Sequence, residues 1–319
     1  MLQLPILEVK DLAVSFGRGA WPAVLGLDFS LAKGEVVGLV GESGSGKSIT
    51  AYSLMGLLPF GANLDAGSIV FMGQDLAKLP PEERRQLCGT RMGLIFQEPL
   101  TALNPVFSIG EQVAEIFRYR LGLSRAEAKS RAIDLLGHVG LPNPGAAYHN
   151  YPHRFSGGMR QRVVIAMALA LNPDLVIADE PTTALDPTIE AQIIGLIKKL
   201  AAERGSAVLF ITHNLRLLIG LTNRILVMYH GLVVEELTDF RDLRHPYSQG
   251  LWRALPPEPG KRSDRHLEPI PGYSPTPGEK FRGCAFAPRC SQALEVCHIL
   301  APPFQTLAPQ RRVRCHLSC

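Results

Sequence analysis

The sequence lacks the features that mark secreted, membrane-spanning or strongly charged proteins. It has six cysteines in 319 residues and no uncharged apolar run of about 18 residues, the length that a membrane helix needs. The longest apolar region, VLFITHNLRLLIGLTNRILVMYHGLVV, is interrupted by His213, Asn214, Arg216 and Arg224. The sequence therefore predicts a chain that does not span a bilayer.

The N-terminal sequence and the net charge argue against further classes of protein. The first residues, MLQLPILEVKD, have neither a basic start nor a long apolar stretch, so we expect no signal peptide. The formal net charge of +4 is small and gives no reason to expect a nucleic-acid partner. These observations predict a cytoplasmic location, where stable disulfides are rare.

Apolar strands alternate with helical segments through most of the chain. EVVGLV, LVIADEP and AVLFITHN are apolar runs separated by amphipathic stretches. This alternation predicts an α/β fold with a mostly parallel sheet and helices on both faces. ILEVKDLAVSF alternates instead like an antiparallel strand and predicts an antiparallel β edge. From Ser108 to about Gly140 the pattern is helical, with Ser124 and Glu127 spaced as a capping box.

The composition changes near the C-terminus. Seven prolines fall between Pro256 and Pro277, and five of the six cysteines follow them. We place a boundary within residues 235–255. The sequence thus predicts a larger domain at residues 1–250, with a helical insert at about residues 98–160, and a small Pro/Cys-rich extension at residues 251–319.

A glycine-rich stretch, GESGSGKS, lies between a predicted strand and a predicted helix. In that context it is a P-loop, whose backbone N–H groups bind phosphate oxygens. Lys47 would contact the β- and γ-phosphates, and the Ser48 hydroxyl would be a ligand of Mg²⁺. The predicted nucleotide-binding residues here are Gly41, Glu42, Ser43, Gly44, Ser45, Gly46, Lys47, Ser48 and Ile49.

Two further stretches carry groups suited to nucleotide chemistry. The apolar run LVIADEP ends in Asp179, a candidate Mg²⁺ ligand, and Glu180, a candidate for polarising the attacking water. The stretch RFSGGMRQR places Ser156, Gly157 and Gly158 before a long apolar helix. The hydroxyl and the free N–H groups at such a helix start attract an anion, so the sequence predicts a second phosphate site.

The sequence FSGGMRQR resembles the signature of the ATP-binding-cassette ATPases. The order of motifs is also similar to that family: the P-loop, Gln97, the signature, LVIADE, ALD at residues 184–186, and ITH ending at His213. The resemblance covers about residues 6–250. It implies a P-loop NTPase cassette that binds ATP and Mg²⁺ and is competent for hydrolysis.

The resemblance also implies residue roles. Gln97 contacts Mg²⁺ and the attacking water and, with Glu180 and His213, forms the catalytic set. His213 contacts the γ-phosphate, and Asp186 reaches across a dimer of cassettes. Ser156, Gly157 and Gly158 bind the ATP of the partner cassette. Phe16 or Trp21 stacks on adenine, and Phe16, at the end of the first predicted strand, is favoured.

Two stretches point to one branch of the family. QEPLTALNP resembles the version found in importers of peptides and nickel, and HPYSQGL resembles the tail of peptide-importer ATPases. The implied partners are two transmembrane permease subunits, a second cassette that is identical or homologous, and, indirectly, an extracytoplasmic solute-binding protein. The implied location is the cytoplasmic face of the cell membrane.

Other functions stay open from the sequence. The cargo could be nickel or another small solute instead of a peptide. The chain could also be a non-transport cassette ATPase in DNA repair or translation, although such proteins usually carry two cassettes or a long coiled coil. A cassette that holds ATP without hydrolysing it is a third alternative, against which Glu180 and His213 argue.

The C-terminal cysteines predict a metal centre. Cys284, Cys290, Cys297 and Cys315 follow the spacing C-x5-C-x6-C-x17-C, with Cys319 at the end of the chain. Four thiolates suit zinc or a 4Fe–4S cluster, and the family resemblance favours the cluster, with zinc and free thiols as alternatives. His298 and His316 could substitute for a cysteine ligand. Cys88, alone in the larger domain, is predicted to be a buried small residue.

Overall fold

The structure, a computed structural model, describes residues 5–17, 21–183, 185–255, 268–276 and 278–318. The chain divides into two compact units. The first comprises Met1–Leu31, Val36–Lys78 and Ile211–Cys319, and the second comprises Ala32–Glu35 and Leu79–Phe210. Residues 211–319 thus fall together in one unit, and the split into residues 1–250 and 251–319 stays a prediction.

The described strands and helices are as follows. In chain order the strands are β1 Leu7–Phe16, β2 Trp21–Leu31, β3 Val36–Val40, β4 Ala62–Phe71, β5 Gln74–Asp75, β6 Met92–Ile95, β7 Leu175–Asp179, β8 Ala207–Thr212, β9 Arg224–Tyr229, β10 Leu232–Leu237, β11 Gln305–Ala308 and β12 Arg311–Val313. The helices are α1 Lys47–Met55, α2 Pro81–Thr90, α3 Pro99–Ala102, α4 Ile109–Leu121, α5 Arg125–His138, α6 Pro144–Ala147, α7 Gly157–Leu169, α8 Pro187–Arg204, α9 Leu215–Leu218, α10 Pro246–Arg253 and α11 Glu295–Ile299. Short 3-10 turns occur at Pro152–Arg154, Phe240–Asp242, Ala287–Arg289 and His316–Ser318.

The first unit contains two groups of strands. One is an antiparallel sheet in the order β2-β1-β4-β5, which confirms the antiparallel pairing predicted for ILEVKDLAVSF. The other runs in the order β11-β12-β10-β9-β3 and is mixed, because β3 is parallel to β9 while β10, β12 and β11 are antiparallel to their neighbours. The apolar sequence RILVMYHGLVVEE favours strands and forms β9 and β10. The strands β11 and β12 were not predicted, since most of their residues are at least partly exposed and show no periodic pattern.

The second unit combines buried parallel strands with the helical segment. Strands β6 and β7 pair in parallel, with Met92 opposite Leu175, and both are fully buried, as their continuous apolar sequences predict. Helix α4 packs against α5, and both contact α7. Ser124 and Glu127 form the predicted capping box at the start of α5. The helices between residues 99 and 154 therefore lie in the region predicted for the helical insert.

Candidate functional site

The predicted phosphate loop connects β3 to α1 in the first unit. Buried residues of β3 pair with β9, so the strand directs the loop from Gly41 onward. Gly44 and Gly46 have φ angles of +79° and +103°, a region in which other residues are strained. At Gly41 a Cβ atom would lie 2.1 Å from the Met228 carbonyl oxygen. The glycines at these positions are therefore required by backbone conformation and by space.

Lys47 places a buried positive charge beside this loop. Its Nζ donates hydrogen bonds to the carbonyl oxygens of Gly41 and Glu42, both at 2.9 Å. Lys47 also begins α1, whose first N–H groups lie next to the loop. A cationic group and a helix N-terminus at one glycine-rich loop form an arrangement suited to binding phosphate.

An open pocket of about 270 Å³ lies next to the loop in the same unit. Its lining consists of Phe16, Trp21, Pro22, Ala23, Gly44, His230 and Gly231. Phe16 is half-buried, whereas Trp21 is 56% exposed. Both aromatic side chains proposed for the adenine thus border the pocket, and its geometry does not choose between them. His230 was not predicted from the sequence, since an isolated histidine after a strand carries no specific signal.

The acidic residues lie in the second unit at the end of β7. Asp179 is fully buried, and Glu180 follows it with a φ angle of +43°. The Glu180 carboxylate accepts hydrogen bonds from the Gln97 side-chain amide at 3.3 Å and from the Thr183 hydroxyl at 3.1 Å. The structure therefore brings together two predicted catalytic residues that are 83 positions apart. Thr183 was missed, because a threonine near a helix start has no distinctive pattern.

The signature residues begin α7, also in the second unit. Ser156 is exposed and caps the helix, accepting a hydrogen bond from the Met159 N–H at 3.4 Å. Gly157 is exposed as well, while a Cβ atom on Gly158 would lie 2.7 Å from Ile189 Cγ2. The helix thus presents a hydroxyl and free N–H groups on the surface, as predicted for a second phosphate site.

The remaining predicted residues lie at the ends of strands and helices. His213 is exposed directly after β8 and belongs to the first unit. Asp186 caps α8, accepting hydrogen bonds from the N–H groups of Thr188 and Ile189 at 3.1 and 3.0 Å. Ser48 is half-buried in the first turn of α1. The roles assigned to these residues stay predictions.

The loop residue Glu42 has partners that the sequence did not indicate. Arg289 and Ser274 donate hydrogen bonds to its carboxylate, and its backbone N–H donates to the Tyr247 hydroxyl. Burial raises the pKa of Glu42, but the hydrogen bonds from Arg289 and Ser274 outweigh it, so the pKa lies below its usual value. Glu42 is therefore held as a carboxylate beside the phosphate loop.

The four C-terminal cysteines belong to the first unit. Cys297 and Cys315 are buried, and the Cys284 N–H donates to the Cys297 carbonyl at 2.7 Å. Burial raises the pKa of Cys284, and the nearby thiols of Cys297 and Cys315 raise it further. Burial and Cys297 do the same for Cys290. Cys284 and Cys290 therefore lie near enough to Cys297 for its thiol to influence their pKa values.

The described residues around these thiols form no recognisable metal site. Within the described parts of the chain, no three His, Cys, Asp or Glu side chains are grouped as such a site requires. The geometry thus gives no support to a metal centre, whether a zinc ion or a 4Fe–4S cluster. His316 contacts the Leu300 carbonyl oxygen at 2.9 Å, and Cys319 lies outside the described residues. Cys88 is buried, as predicted.

Among the residues that the structure describes, no helix combines the length and the apolar character needed to cross a membrane.

Comparison with protein families gives two matches. A family model of ABC transporters matches residues 24–183, and a model of the C-terminal region of oligopeptide/dipeptide transporters matches residues 236–297. The chain is 46% identical to a putative peptide import ATP-binding protein of Brucella melitensis, over 99% of this chain and 98% of that protein. It is 44% identical to the dipeptide transport ATP-binding protein DppD of Escherichia coli, over 98% and 97%.

A solved structure has the same fold. A dimeric structure of the ATP-binding cassette MJ0796, in a post-hydrolysis state bound to ADP and Pi, is similar with a TM-score of 0.65 and 28% sequence identity. The similarity covers 73% of this chain and 98% of that chain. The P-loop NTPase cassette fold, with mixed sheets and helices, is therefore confirmed.

Proposed function

This chain belongs to the ABC transporter family, and on that basis we propose that it is the ATP-hydrolysing subunit of an importer for dipeptides or oligopeptides. We infer a peptide cargo chiefly because residues 236–297 match the C-terminal region of oligopeptide/dipeptide transporters. Full-length similarity to proteins named for peptide import and dipeptide transport supports it. Import of nickel or another small solute would use the same ATPase chemistry and is the alternative.

In the proposed mechanism the phosphate loop binds the ATP phosphates. The N–H groups of residues 41–48 and the Lys47 ammonium offset the phosphate charge. Ser48, Gln97 and Asp179 offer hydroxyl, amide and carboxylate oxygens, a donor set that suits Mg²⁺, and the buried Asp179 carboxylate fits a cation ligand. When bound, Mg²⁺ neutralises charge that develops on the phosphates.

Glu180 is assigned the step that activates water. Its carboxylate, oriented by Gln97 and Thr183, accepts a hydrogen bond from the attacking water and polarises it. His213 is assigned a contact with the γ-phosphate. Phe16 is assigned the stacking contact with adenine, and its place in the pocket beside Gly44 supports this role.

We assign the signature residues to the nucleotide of a second cassette. Ser156 and the N–H groups of Gly157 and Gly158 would bind the γ-phosphate of the partner's ATP, with Asp186 also facing that partner. ATP then closes the dimer, and hydrolysis removes the bridging phosphate and lets it reopen. The dimeric structure of the related cassette supports this arrangement. The partner is an identical or, as we favour, a homologous cassette.

The proposed partners outside the ATPase pair are membrane proteins. Two transmembrane permease subunits would receive the conformational change through the segment QEPLTALNP, in which Leu100 is exposed. The chain would then lie on the cytoplasmic face of the cell membrane, and an extracytoplasmic binding protein would deliver the peptide. Nucleic acid has no part in this function.

We propose that Cys284, Cys290, Cys297 and Cys315 hold a 4Fe–4S cluster. The support is the type, number and spacing of the four cysteines in the sequence. Such a cluster would cross-link the four cysteines and so stabilise a segment that has little apolar core of its own. Anaerobic purification, an absorption spectrum and an iron assay test this, and a colourless, iron-free protein would refute it.

The substitution Glu180→Gln tests the ATPase assignment. We expect retained ATP binding, because the phosphate loop is unchanged, and turnover lower by at least about a hundredfold, because the amide is a poor base. In a deletion strain, the wild-type gene should restore uptake of a labelled dipeptide and the variant should not. Unchanged ATP turnover by the variant would contradict the role of Glu180, and nickel uptake without dipeptide uptake would favour the alternative cargo.

A further inference from the structure

Glu42, the second residue of the phosphate loop, has a carboxylate side chain. A nucleotide bound to this loop would place several negative charges near it. Glu42 is bound by a bidentate ion pair: Arg289 Nη1 lies 2.7 Å from Glu42 Oε2, and Arg289 Nη2 lies 3.0 Å from Glu42 Oε1. The Ser274 hydroxyl donates a third hydrogen bond to Oε2 at 2.9 Å. This fork geometry is the strongest form of carboxylate recognition by an arginine.

Arg289 is itself fixed in place by the C-terminal region. Its side chain is only 6% exposed, and Nε donates to the Pro271 carbonyl oxygen at 2.9 Å. The guanidinium carbon lies 5.8 Å from the ring centroid of Tyr229 and 5.9 Å from that of Phe286. The guanidinium therefore has little freedom to turn away from Glu42.

The backbone of the same loop residue is held from the C-terminal side as well. The Glu42 N–H donates to the Tyr247 hydroxyl at 2.8 Å. Tyr247 is fully buried in α10 and packs against Tyr229 and Phe286, with ring centroids 4.6 and 5.4 Å apart. Both the side chain and the backbone of Glu42 thus depend on residues that follow β9.

The C-terminal region also contacts the wall of the adjoining pocket. His230, which lines the pocket, contacts the Glu279 carbonyl oxygen through Nε2 at 2.7 Å and packs edge-on against Phe281. A Cβ atom on Gly278 would lie 3.3 Å from the Cα atom of Trp21, which also lines the pocket. The segment between Glu268 and Cys290 therefore lies against both the loop and the pocket.

We propose that Arg289 is a positioning residue for the phosphate loop, so that the cysteine-bearing C-terminal region sets the affinity of the cassette for ATP. The proposal rests on the assignment of this loop as the ATP site. Without Arg289, an unpaired carboxylate would face the incoming phosphates and repel them, and the second residue of the loop would lose its anchor. Arg289 ends the turn Ala287–Arg289 and is adjacent to Cys290, so the backbone links the guanidinium to the cysteine segment.

The test measures binding of a fluorescent ATP analogue, with Mg²⁺, to the full-length chain and its variants. Arg289→Gln should raise the Kd about tenfold, through loss of one partly buried charge pair. Arg289→Lys keeps the positive charge but loses the bidentate geometry. Its Kd should therefore lie between those of the wild type and Arg289→Gln. The matched control is Arg282→Gln in the same segment, because Arg282 is exposed, and its Kd should equal that of the wild type.

A charge-neutral double variant separates positioning from folding. Glu42→Gln combined with Arg289→Gln removes the repelling carboxylate and should bind more tightly than Arg289→Gln alone. Equal Kd values for the wild type and Arg289→Gln would overturn the proposal, as would a double variant no tighter than the single one. Failure of the wild-type chain to bind the analogue would instead overturn the ATP site itself, and the proposal with it.

Discussion

At the scale of single residues, several predicted or newly identified site residues have strained backbones. Glu180 and His230, neither of them glycine, have φ angles of +43° and +45°, and Gly44 and Gly46 lie in the same half of φ space. Such conformations cost about 1–3 kcal/mol for a non-glycine residue and persist only where the surroundings fix them. At Glu180 the carboxylate is hydrogen-bonded by Gln97 and Thr183, and a strained backbone at this position is consistent with the catalytic role proposed for it.

The two aromatic residues of the pocket give a residue-scale prediction. If Phe16 stacks on adenine, Phe16→Ala should weaken ATP binding about tenfold, the usual cost of removing one base–aromatic contact. Trp21→Ala is the matched control, since Trp21 lines the same pocket but is more exposed, and we expect a change of about twofold or less. Titration with a fluorescent ATP analogue measures both, and a larger effect of Trp21→Ala would transfer the stacking role to that residue.

His245 predicts a pH dependence of stability. It is fully buried and caps α10, and burial lowers its pKa from about 6.5 to about 3. As pH falls from 6.5 toward 3, the unfolded chain binds a proton that the folded chain does not. The free energy of unfolding therefore decreases over this range, and the contribution of the neutral His245 is complete only above about pH 6.5.

Comparison with His245→Asn isolates this contribution. Asparagine can still cap the helix, and Glu235, which accepts a hydrogen bond from the His245 N–H and whose pKa is raised by burial, contributes equally to both proteins. The Tm of the wild type should fall more steeply between pH 6.5 and 4.5 than that of the variant. Parallel Tm curves would show that His245 does not titrate as inferred.

At the scale of elements, the start of α7 carries the second phosphate site. A side chain at Gly158 would collide with Ile189 and cover the N–H groups of the first turn. Gly158→Val should therefore change the Kd of ATP at the chain's own phosphate loop by no more than about twofold. The rate of ATP hydrolysis by the assembled ATPase should fall about a hundredfold, because a hydrogen-bond donor to the transition-state charge is lost. Gly195→Val, in an open position on α8, is the control and should retain turnover.

The strands and helices also show which features of the structure could be predicted from the sequence. The phosphate loop, the strand ending at Asp179 and the capping box at Ser124 depend on short, local patterns, and each was predictable. The ion pair of Glu42 with Arg289 joins residues 247 positions apart, and neither has a local signal for the other. Strands β11 and β12 were missed for a similar reason, because their pairing depends on β10 and not on their own periodicity.

At the scale of the whole molecule, the proposed roles are distributed over both units and over a second chain. The first unit carries the phosphate loop and the pocket beside it, and the second carries Gln97, Glu180 and the signature helix. Ser156 and Gly157 of the signature are exposed, as a surface for a partner requires. The central claim is therefore that one chain alone is an incomplete ATPase.

The ATPase rate per chain, measured for the solitary chain at high dilution and for the assembled transporter, tests this claim most directly. We predict that the solitary chain hydrolyses ATP at least about tenfold more slowly, because it lacks the partner's signature donors to the γ-phosphate. Binding of a fluorescent ATP analogue by the same solitary sample confirms that its phosphate loop is intact. An equal rate per chain in the two samples would contradict the account.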